Sequence, residues 1–346
     1  MDFSVLALRS AIASGSLTSE ALVQESLARI KRLNPVVNAF SQVYEEQALE
    51  EARACDREAA EGRFRGPLHG IPMGVKDLFF TAGRLCQRGS TAYKDFAPKA
   101  TAPIVQRMVD AGSIMIGKTT TTEMGWSGSG NSEFYGPTRN PWNPDLTSGG
   151  SSSGSAAALA ARMVPFTLGS DGGGSVRIPA AFCGIFAMKA SLGRVPAWPW
   201  SATEMLSHAG PMSLSARDSA LLFNIVKGPD PRDHQSLPDD GADYTDTHLP
   251  KSLRIGFAPS LFGFDVAPEI DRVVRDAVDV LAAALAVDIR PVTPDWSDPI
   301  GIFETLWVAG RGVAYGAQSD LSKFGSGFRG LVEASAQYDL AAYLAA

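Results

Sequence analysis

Two glycine–serine clusters, separated by one short apolar run, constrain this chain more than any other feature of its sequence. The first cluster reads GGSSSGS at 149–155, and the second reads DGGGS at 171–175. In the second cluster a serine hydroxyl follows three glycines, whose backbone can approach a ligand without interference from a Cβ atom. Consecutive N–H groups in such a turn form a nest that stabilises an oxyanion. The pattern therefore predicts a reactive serine beside an anion-binding turn.

Length, charge and cysteine spacing narrow the class of protein. The 346 residues suffice for one large domain or two ordinary ones. A net charge of −6 without a long basic block argues against a nucleic-acid-binding protein. Three cysteines at wide, irregular spacing indicate reduced thiols in a cytoplasm. Since the chain starts without a basic signal-like segment and its longest apolar run, at 156–161, is too short to span a bilayer, we predict a cytoplasmic protein without membrane contact.

The order of apolar and polar segments predicts an α/β fold. Helical spacing dominates up to residue 62, and from residue 66 short apolar strands alternate with glycine turns and helices. Strands are predicted at 71–76, 113–117, 164–168, 185–189, 253–257 and 288–292, and helices at 48–60, 102–111, 155–162 and 268–286. The predicted division is N-terminal helices at 1–62, a catalytic core at 66–226, a Pro/Asp-rich surface connection at 227–252, and C-terminal strands and helices at 253–346. A final helix near 331–346 has no cap or stop signal, which predicts that the C-terminal part is truncated.

A serine becomes a good nucleophile only when a base takes its proton, and two kinds of base are available here. The four histidines all lie outside the glycine–serine clusters, although a Ser-His-Asp triad could still assemble in space. The alternative is Lys76 in the apolar, glycine-bounded segment GIPMGVKD at 70–77. A lysine acts as a base only if burial lowers its pKa from about 10.4. The spacing of apolar residues around Lys76 fits equally well a lysine at the end of a strand whose side chain extends into solvent.

The motifs taken together resemble the amidase signature family. The resemblance rests on GIPMGVKD, on GGSSSGS, on DGGGSVRIPAAFCG at 171–184, and on the flanking NPW at 140–142 and GRV at 193–195. It extends from about residue 4 to the end of the chain. It implies amide hydrolysis by a Ser–cis-Ser–Lys triad, without metal or cofactor, in a single amidase signature domain with a mixed central β-sheet flanked by helices.

The resemblance assigns a role to each member of the triad. It makes Ser175 the nucleophile, Ser151 the serine that relays the proton, and Lys76 the base, with a cis peptide before Ser151. It also implies that backbone N–H groups hold the oxyanion, namely those of Gly172, Gly173, Gly174 and Ser175.

Further residues around the triad have roles that the sequence leaves open. Ser152 either bonds to the triad or caps the following helix. Asp171 and Arg177 are most simply an ion pair that holds the nucleophile turn, although Arg177 could instead meet a substrate carboxylate. The resemblance places the segment Gly125, Trp126 and Ser127 on the acyl pocket. Three other apolar residues are candidates for a pocket wall and equally for the core: Trp198, Trp200 and Met205.

The chain departs from the family pattern at two positions and in its length. Ser153 replaces the fifth residue of the usual GGSSGGS, and Gly172 replaces the threonine of the usual DTGGS. Family members usually continue well beyond 346 residues.

The function predicted from the sequence is hydrolysis of a small-molecule carboxamide. The resemblance to the family also suggests that the protein is a homodimer. The alternatives are a glutaminase subunit of a tRNA-dependent amidotransferase and an inactive fragment. The segment GSIMIGKT at 112–119 matches the letters of a P-loop, but its middle residues indicate a strand rather than a phosphate-binding turn.

Overall fold

The computed structural model describes residues 3–249, 252–317 and 319–346, which form a mixed α/β structure. The strands in this part of the chain are β1 (Phe40–Val43), β2 (Pro72–Lys76), β3 (Ile114–Thr119), β4 (Arg139–Asn140), β5 (Asn143–Thr147), β6 (Phe166–Asp171), β7 (Phe186–Ala187), β8 (His208–Ser213), β9 (Ile255–Phe257) and β10 (Ile289–Pro291). The α-helices are α1 (Val5–Ala13), α2 (Ser19–Val37), α3 (Glu45–Ala60), α4 (Pro103–Asp110), α5 (Ser153–Ala160), α6 (Arg177–Cys183), α7 (Ala216–Val226), α8 (Pro268–Leu285), α9 (Ile300–Tyr315), α10 (Ser326–Ala334) and α11 (Leu340–Ala345).

A six-stranded sheet in the order β1-β3-β2-β6-β8-β7 forms the centre of the structure. Strands β3, β2 and β6 are parallel, whereas β1, β8 and β7 pair antiparallel with their neighbours. The predicted mixed sheet flanked by helices is therefore confirmed. Outside it, β9 and β10 form a parallel pair, and β4 and β5 form a short hairpin.

Helices cover both faces of this sheet. Apolar residues of α1, α4 and α7 form one core cluster, and residues of α2, α3 and α5 form another. Within β2, Met73 and Val75 belong to the first cluster. Because side chains alternate along a strand, Lys76 points to the opposite face, where α5 begins.

The six predicted strands and four predicted helices all overlap observed elements, but several elements escaped prediction. Strand β8 contains Gly210 and Pro211, which are typical of turns, and yet it lies between β6 and β7. Helix α9 contains three glycines, which weaken a helical pattern. The single helix predicted near 331–346 is wrong. The chain forms α10 and α11 there, because the Asp339 carboxylate accepts a hydrogen bond from Ala342 N at 2.8 Å and starts a new helix.

The segment predicted to be a surface connection has no helix or strand from 228 to 249, and Pro250 and Lys251 lie outside the described residues. The division of the chain into four parts stays a prediction. Among the helices that the structure describes, none has the length and apolar character required to cross a membrane.

Candidate active site

Lys76 ends β2 in full burial and is surrounded by hydroxyl groups. Its Nζ atom lies 2.8 Å from Ser151 Oγ, 2.9 Å from Ser152 Oγ and 2.9 Å from Ser170 Oγ. Burial lowers the pKa of Lys76 to about 7, and the charge of Asp171 opposes part of that fall. The amine is therefore neutral in a large fraction of molecules near neutral pH. Of the two interpretations of Lys76 that the sequence left open, extension into solvent is wrong.

The sheet brings the lysine and the nucleophile loop to the same edge. Strands β2 and β6 are parallel neighbours, so their carboxyl ends, at Lys76 and Asp171, lie at the same edge of the sheet. Helix α5 begins next to them, and the GGSSSGS cluster forms the loop before this helix and its first three residues. Three segments distant in sequence therefore converge at one position.

Ser151 lies where the end of β2, the end of β6 and the start of α5 meet, and it is 1 % exposed. The peptide bond between Gly150 and Ser151 is cis, as the resemblance implies. A close approach to Ser151 also explains Gly125, which has a φ of +68° and whose hypothetical Cβ would lie 3.3 Å from Ser151 Oγ. A side chain at position 125 would crowd the hydroxyl.

Ser152 and Ser153 resolve two points that the sequence left open. Ser152 precedes α5 but makes no capping hydrogen bond, and its hydroxyl contacts Lys76 instead. Ser153 is the first residue of α5 and has no positive φ, so this position does not require the glycine of the usual family pattern.

The Asp171 carboxylate holds the loop that carries Ser175. It accepts hydrogen bonds from Gly174 N at 2.7 Å and from Arg177 Nε and Nη2 at 3.0 Å each. Burial raises the pKa of Asp171, but the hydrogen bonds from Arg177 and from the loop backbone outweigh it and lower the pKa to about 2. The structure thus places Asp171 and Arg177 in an ion pair.

Ser175 is 7 % exposed and lines the same cavity as Ser151. Its backbone carbonyl accepts a hydrogen bond from Ser152 N at 3.1 Å, which ties the two serine-bearing loops together. Within the described residues, no hydrogen bond joins Ser175 Oγ to Ser151 Oγ. The structure therefore brings Ser151 and Ser175 to one cavity and bonds Ser151 to the fully buried Lys76.

The backbone of the nucleophile loop offers three free donors rather than the four predicted. The N–H of Gly174 donates to Asp171 Oδ1 and is not available to an oxyanion. In the described part of the chain, the N–H groups of Gly172, Gly173 and Ser175 have no acceptor. The prediction for Gly174 is corrected because the preceding carboxylate competes for its N–H.

Two aromatic rings of α9 lie against the same loop. A Cβ at Gly172 would lie 2.9 Å from Trp307 Cζ3, and a Cβ at Gly173 would lie 2.7 Å from Phe303 Cζ. The rings of Phe303 and Trp307 stack with centroids 5.3 Å apart. The indole of Trp307 therefore occupies space that the threonine side chain of the usual pattern would need at position 172.

Two adjoining cavities, of about 50 and 140 Å³, extend from the triad. Trp198 and Trp200 line the larger one, while Met205 lines neither and is 57 % exposed. Gly125 lines the smaller cavity, but Trp126 and Ser127 do not. The turn at Glu123–Gly125 directs Trp126 toward Gly327 instead, and Met124 takes its place on both cavities.

Six polar residues of the cavity escaped prediction: Ser170, Ser201, Thr203, Ser207, His208 and Arg311. Ser170 lies near the end of β6 and belongs to no motif, and Arg311 lies on the unpredicted helix α9. His208 is in range of Leu206 O at 2.8 Å through Nδ1 and of Lys189 Nζ at 3.3 Å through Nε2. Burial and the Lys189 charge lower the pKa of His208, and no hydrogen bond links it to a serine among the described residues. Within the described residues, His208 therefore does not form a Ser-His-Asp triad with Ser151 or Ser175.

Comparisons with known proteins agree on one family. A sequence model of the family described as Amidase matches residues 21–331. A glutamyl-tRNA(Gln) amidotransferase subunit of Chloroflexus aurantiacus is 40 % identical over 290 residues, which are 82 % of this chain and 60 % of that protein. This chain thus spans less than two thirds of that relative's length.

Solved structures of similar fold point the same way. 6-Aminohexanoate cyclic dimer hydrolase, complexed with substrate, has a TM-score of 0.90 and 28 % identity, covering 100 % of this chain and 74 % of the other. Native peptide amidase from Stenotrophomonas maltophilia has a TM-score of 0.80 and 30 % identity. The match covers 99 % of this chain and 77 % of the peptide amidase chain.

The contact between Gly172 and Trp307 is testable by stability measurements. We expect Gly172→Thr to lower the free energy of unfolding by about 1–3 kcal/mol, since extra atoms in a packed site cost that much. Adding Trp307→Leu should recover part of the loss in a urea titration. Gly301→Thr is the control, because a Cβ at Gly301 meets no atom within 4 Å. Equal losses at positions 172 and 301 would contradict the steric explanation.

Proposed function

Because this chain belongs to the amidase signature family, we propose that it hydrolyses a small carboxamide through an acyl-enzyme on Ser175. The observation that carries the proposal is the environment of Lys76, a fully buried amine within 2.8 Å of Ser151 Oγ. A lysine in this setting has a pKa near the working pH, which a general base requires. No metal or cofactor takes part in the proposed reaction.

The proposed first half-reaction moves one proton along the triad. Neutral Lys76 takes a proton from Ser151, which takes the proton of Ser175 as Ser175 Oγ attacks the amide carbonyl carbon. A tetrahedral intermediate forms, and its oxygen accepts hydrogen bonds from Gly172, Gly173 and Ser175 N–H. A single such donor lowers the barrier by about 3 kcal/mol.

The second half-reaction releases the acyl group. The proton on Lys76 returns through Ser151 to the leaving nitrogen, and the C–N bond breaks to give ammonia or an amine. Water then attacks the Ser175 ester, and the same relay accepts its proton. The relay returns that proton to Ser175 Oγ as the acyl C–O bond breaks, and the carboxylic acid leaves and ionises to the carboxylate. The size of the two cavities favours a small acyl group over a polymer.

The curated relatives support a second candidate, a glutaminase subunit that supplies ammonia within an amidotransferase. The supporting observation is the 40 % identity to the Chloroflexus amidotransferase subunit over 82 % of this chain. The Ser175 chemistry would be the same, but glutamine would be the substrate and partner subunits would be needed. A homodimer and a cytoplasmic location stay predictions under either candidate.

Replacing the nucleophile tests the proposed chemistry. We expect Ser175→Ala to lower kcat/KM for primary amides by at least about 10³-fold, because the acyl-enzyme can no longer form. Ammonia release measures the rate, and intact mass measures covalent labelling of the protein by a fluorophosphonate. Ser191→Ala, an exposed serine outside the site, is the control. Full turnover by the alanine variant would refute the proposed nucleophile.

The pKa of Lys76 predicts the shape of the pH profile. The base works only when neutral, so kcat/KM should rise through pH 7, near the lowered pKa of about 7, and level off above it. Below the pKa the rate should fall about tenfold per pH unit, because the ammonium cannot accept a proton. The measurement is kcat/KM from pH 5 to 9 in constant ionic strength. A flat profile down to pH 5 would contradict Lys76 as the base.

Glutamine turnover distinguishes the two candidates. The isolated chain should hydrolyse small amides such as butyramide and show no requirement for other subunits. The measurement is ammonia release from butyramide and from L-glutamine, before and after co-purification from the source organism. Glutamine turnover that appears only with co-purified subunits and charged tRNA would favour the amidotransferase candidate.

A further inference from the structure

Arg311 is a buried cation on the wall of the catalytic cavity. It belongs to α9, is 4 % exposed, and lines the same cavity as Ser151 and Ser175. Its guanidinium carbon lies 3.6 Å from the centroid of the Trp307 ring, and Nη1 donates to Trp307 O at 3.0 Å. Both contacts are to one residue of its own helix. The remaining N–H donors of its fork are thus left for another group.

No carboxylate of the described residues forms an ion pair with Arg311. The carboxylate on the same cavity, Asp171, is bound by Arg177 through two hydrogen bonds of 3.0 Å each. Burial lowers the pKa of Arg311 to about 10, so the side chain still carries its charge at neutral pH. Buried charges in proteins are almost always paired, because an isolated one is costly. An anion that enters the cavity would supply the partner that the described residues do not.

The residues around Arg311 fit a small planar anion. Three hydroxyl-bearing residues line the same cavity, Ser201, Thr203 and Ser207. Ser207 Oγ already donates to Thr203 O at 3.0 Å, which leaves the hydroxyls of Ser201 and Thr203 as candidate donors. A guanidinium presents parallel N–H groups that match the two oxygens of a carboxylate. The cavity of about 50 Å³ also holds Ser175, so the anion and the reacting carbonyl must belong to one small molecule.

We propose that Arg311 binds a carboxylate on the acyl portion of the substrate, so that the favoured substrates are monoamides of short dicarboxylic acids. The proposal rests on the proposed amide hydrolysis and adds the substrate class. It makes Arg311 a specificity-determining residue that acts on the end of the substrate remote from the scissile bond. Ser175 and Lys76 keep their roles.

Matched substrates test the proposal. Malonamate, succinamate and glutaramate vary the distance between the amide and the carboxylate. For the last two, 4-oxopentanamide and 5-oxohexanamide replace the carboxylate with a neutral methyl ketone of similar shape. The measurement is kcat/KM for each pair with the wild-type chain, Arg311→Met, Arg311→Lys and Arg275→Met. Arg275 is an exposed arginine on α8 and controls for the loss of one positive charge.

The expected result is a preference of the wild type for at least one carboxylate over its ketone partner. Arg311→Met should lower that preference by about 10- to 100-fold, the range for hydrogen bonds to a charged group. Arg311→Lys should retain part of it, and Arg275→Met should retain all of it. Arg311→Met should also melt no lower than the wild type, since it removes an unpaired buried charge. A purely structural arginine would instead lower the melting temperature and leave the ratio unchanged.

Binding measurements separate the failure of this proposal from the failure of the proposed function. Calorimetry of glutaramate and succinamate with Ser175→Ala, with and without Arg311→Met, reports carboxylate recognition without turnover. Binding that depends on Arg311 in a chain that hydrolyses no amide would support the recognition and overturn the hydrolase. Hydrolysis with equal rates for carboxylates and ketones, unchanged by Arg311→Met, would overturn the recognition alone. Absence of both binding and preference would likewise overturn it.

Discussion

The burial of one amine among three hydroxyls organises the site. Lys76 can be buried only because Ser151, Ser152 and Ser170 satisfy its N–H groups. The first two serines come from the loop before α5, and the third comes from strand β6. An ammonium paired with a carboxylate would be stable there, but it could not accept a proton and so could not act as a base. Hydroxyl partners are weaker than a carboxylate in stabilising the charged form, so burial dominates and the pKa falls to about 7. The geometry of the loops is thus tied to the basicity of the lysine.

A second buried lysine on the neighbouring strand shows the contrast. The Nζ atom of Lys118 lies 3.9 Å from Asp77 Oδ1 and donates a hydrogen bond to Phe79 O. Asp77 also accepts a hydrogen bond from Tyr135 Oη. Burial lowers the pKa of Lys118, while the charge of Asp77 acts in the opposite direction. Two lysines at the ends of adjacent parallel strands are equally buried, but only Lys76 faces hydroxyls on the catalytic cavity. Local partners, not burial alone, therefore distinguish the candidate base from a buried lysine that has no contact with the serines.

The sequence predicts those residues of the site that belong to short, continuous motifs. The serine clusters, Lys76 and the parallel strands follow from local spacing, and the structure brings them together. Local spacing does not predict which backbone N–H groups are taken by a side chain elsewhere in the loop, or which way a turn directs a side chain. Asp171 takes the N–H of Gly174, and the turn before Trp126 sends the indole away from the cavity. Residues that depend on an unpredicted element, such as Arg311 on α9, had no signal, because glycines and mixed aromatic residues obscured the helical period.

Helix α9 connects the nucleophile loop with the proposed recognition of substrate. Phe303, Trp307 and Arg311 recur every four residues and so lie on one face of the helix. The first two require glycines at 173 and 172, whose N–H groups remain free, while the third extends the same face to the cavity wall. A shift of α9 would therefore move the two rings relative to the proposed oxyanion donors and the guanidinium relative to the proposed substrate carboxylate. This coupling gives a physical reason for Gly172: a threonine there would displace Trp307, and Arg311 rests on the ring of Trp307.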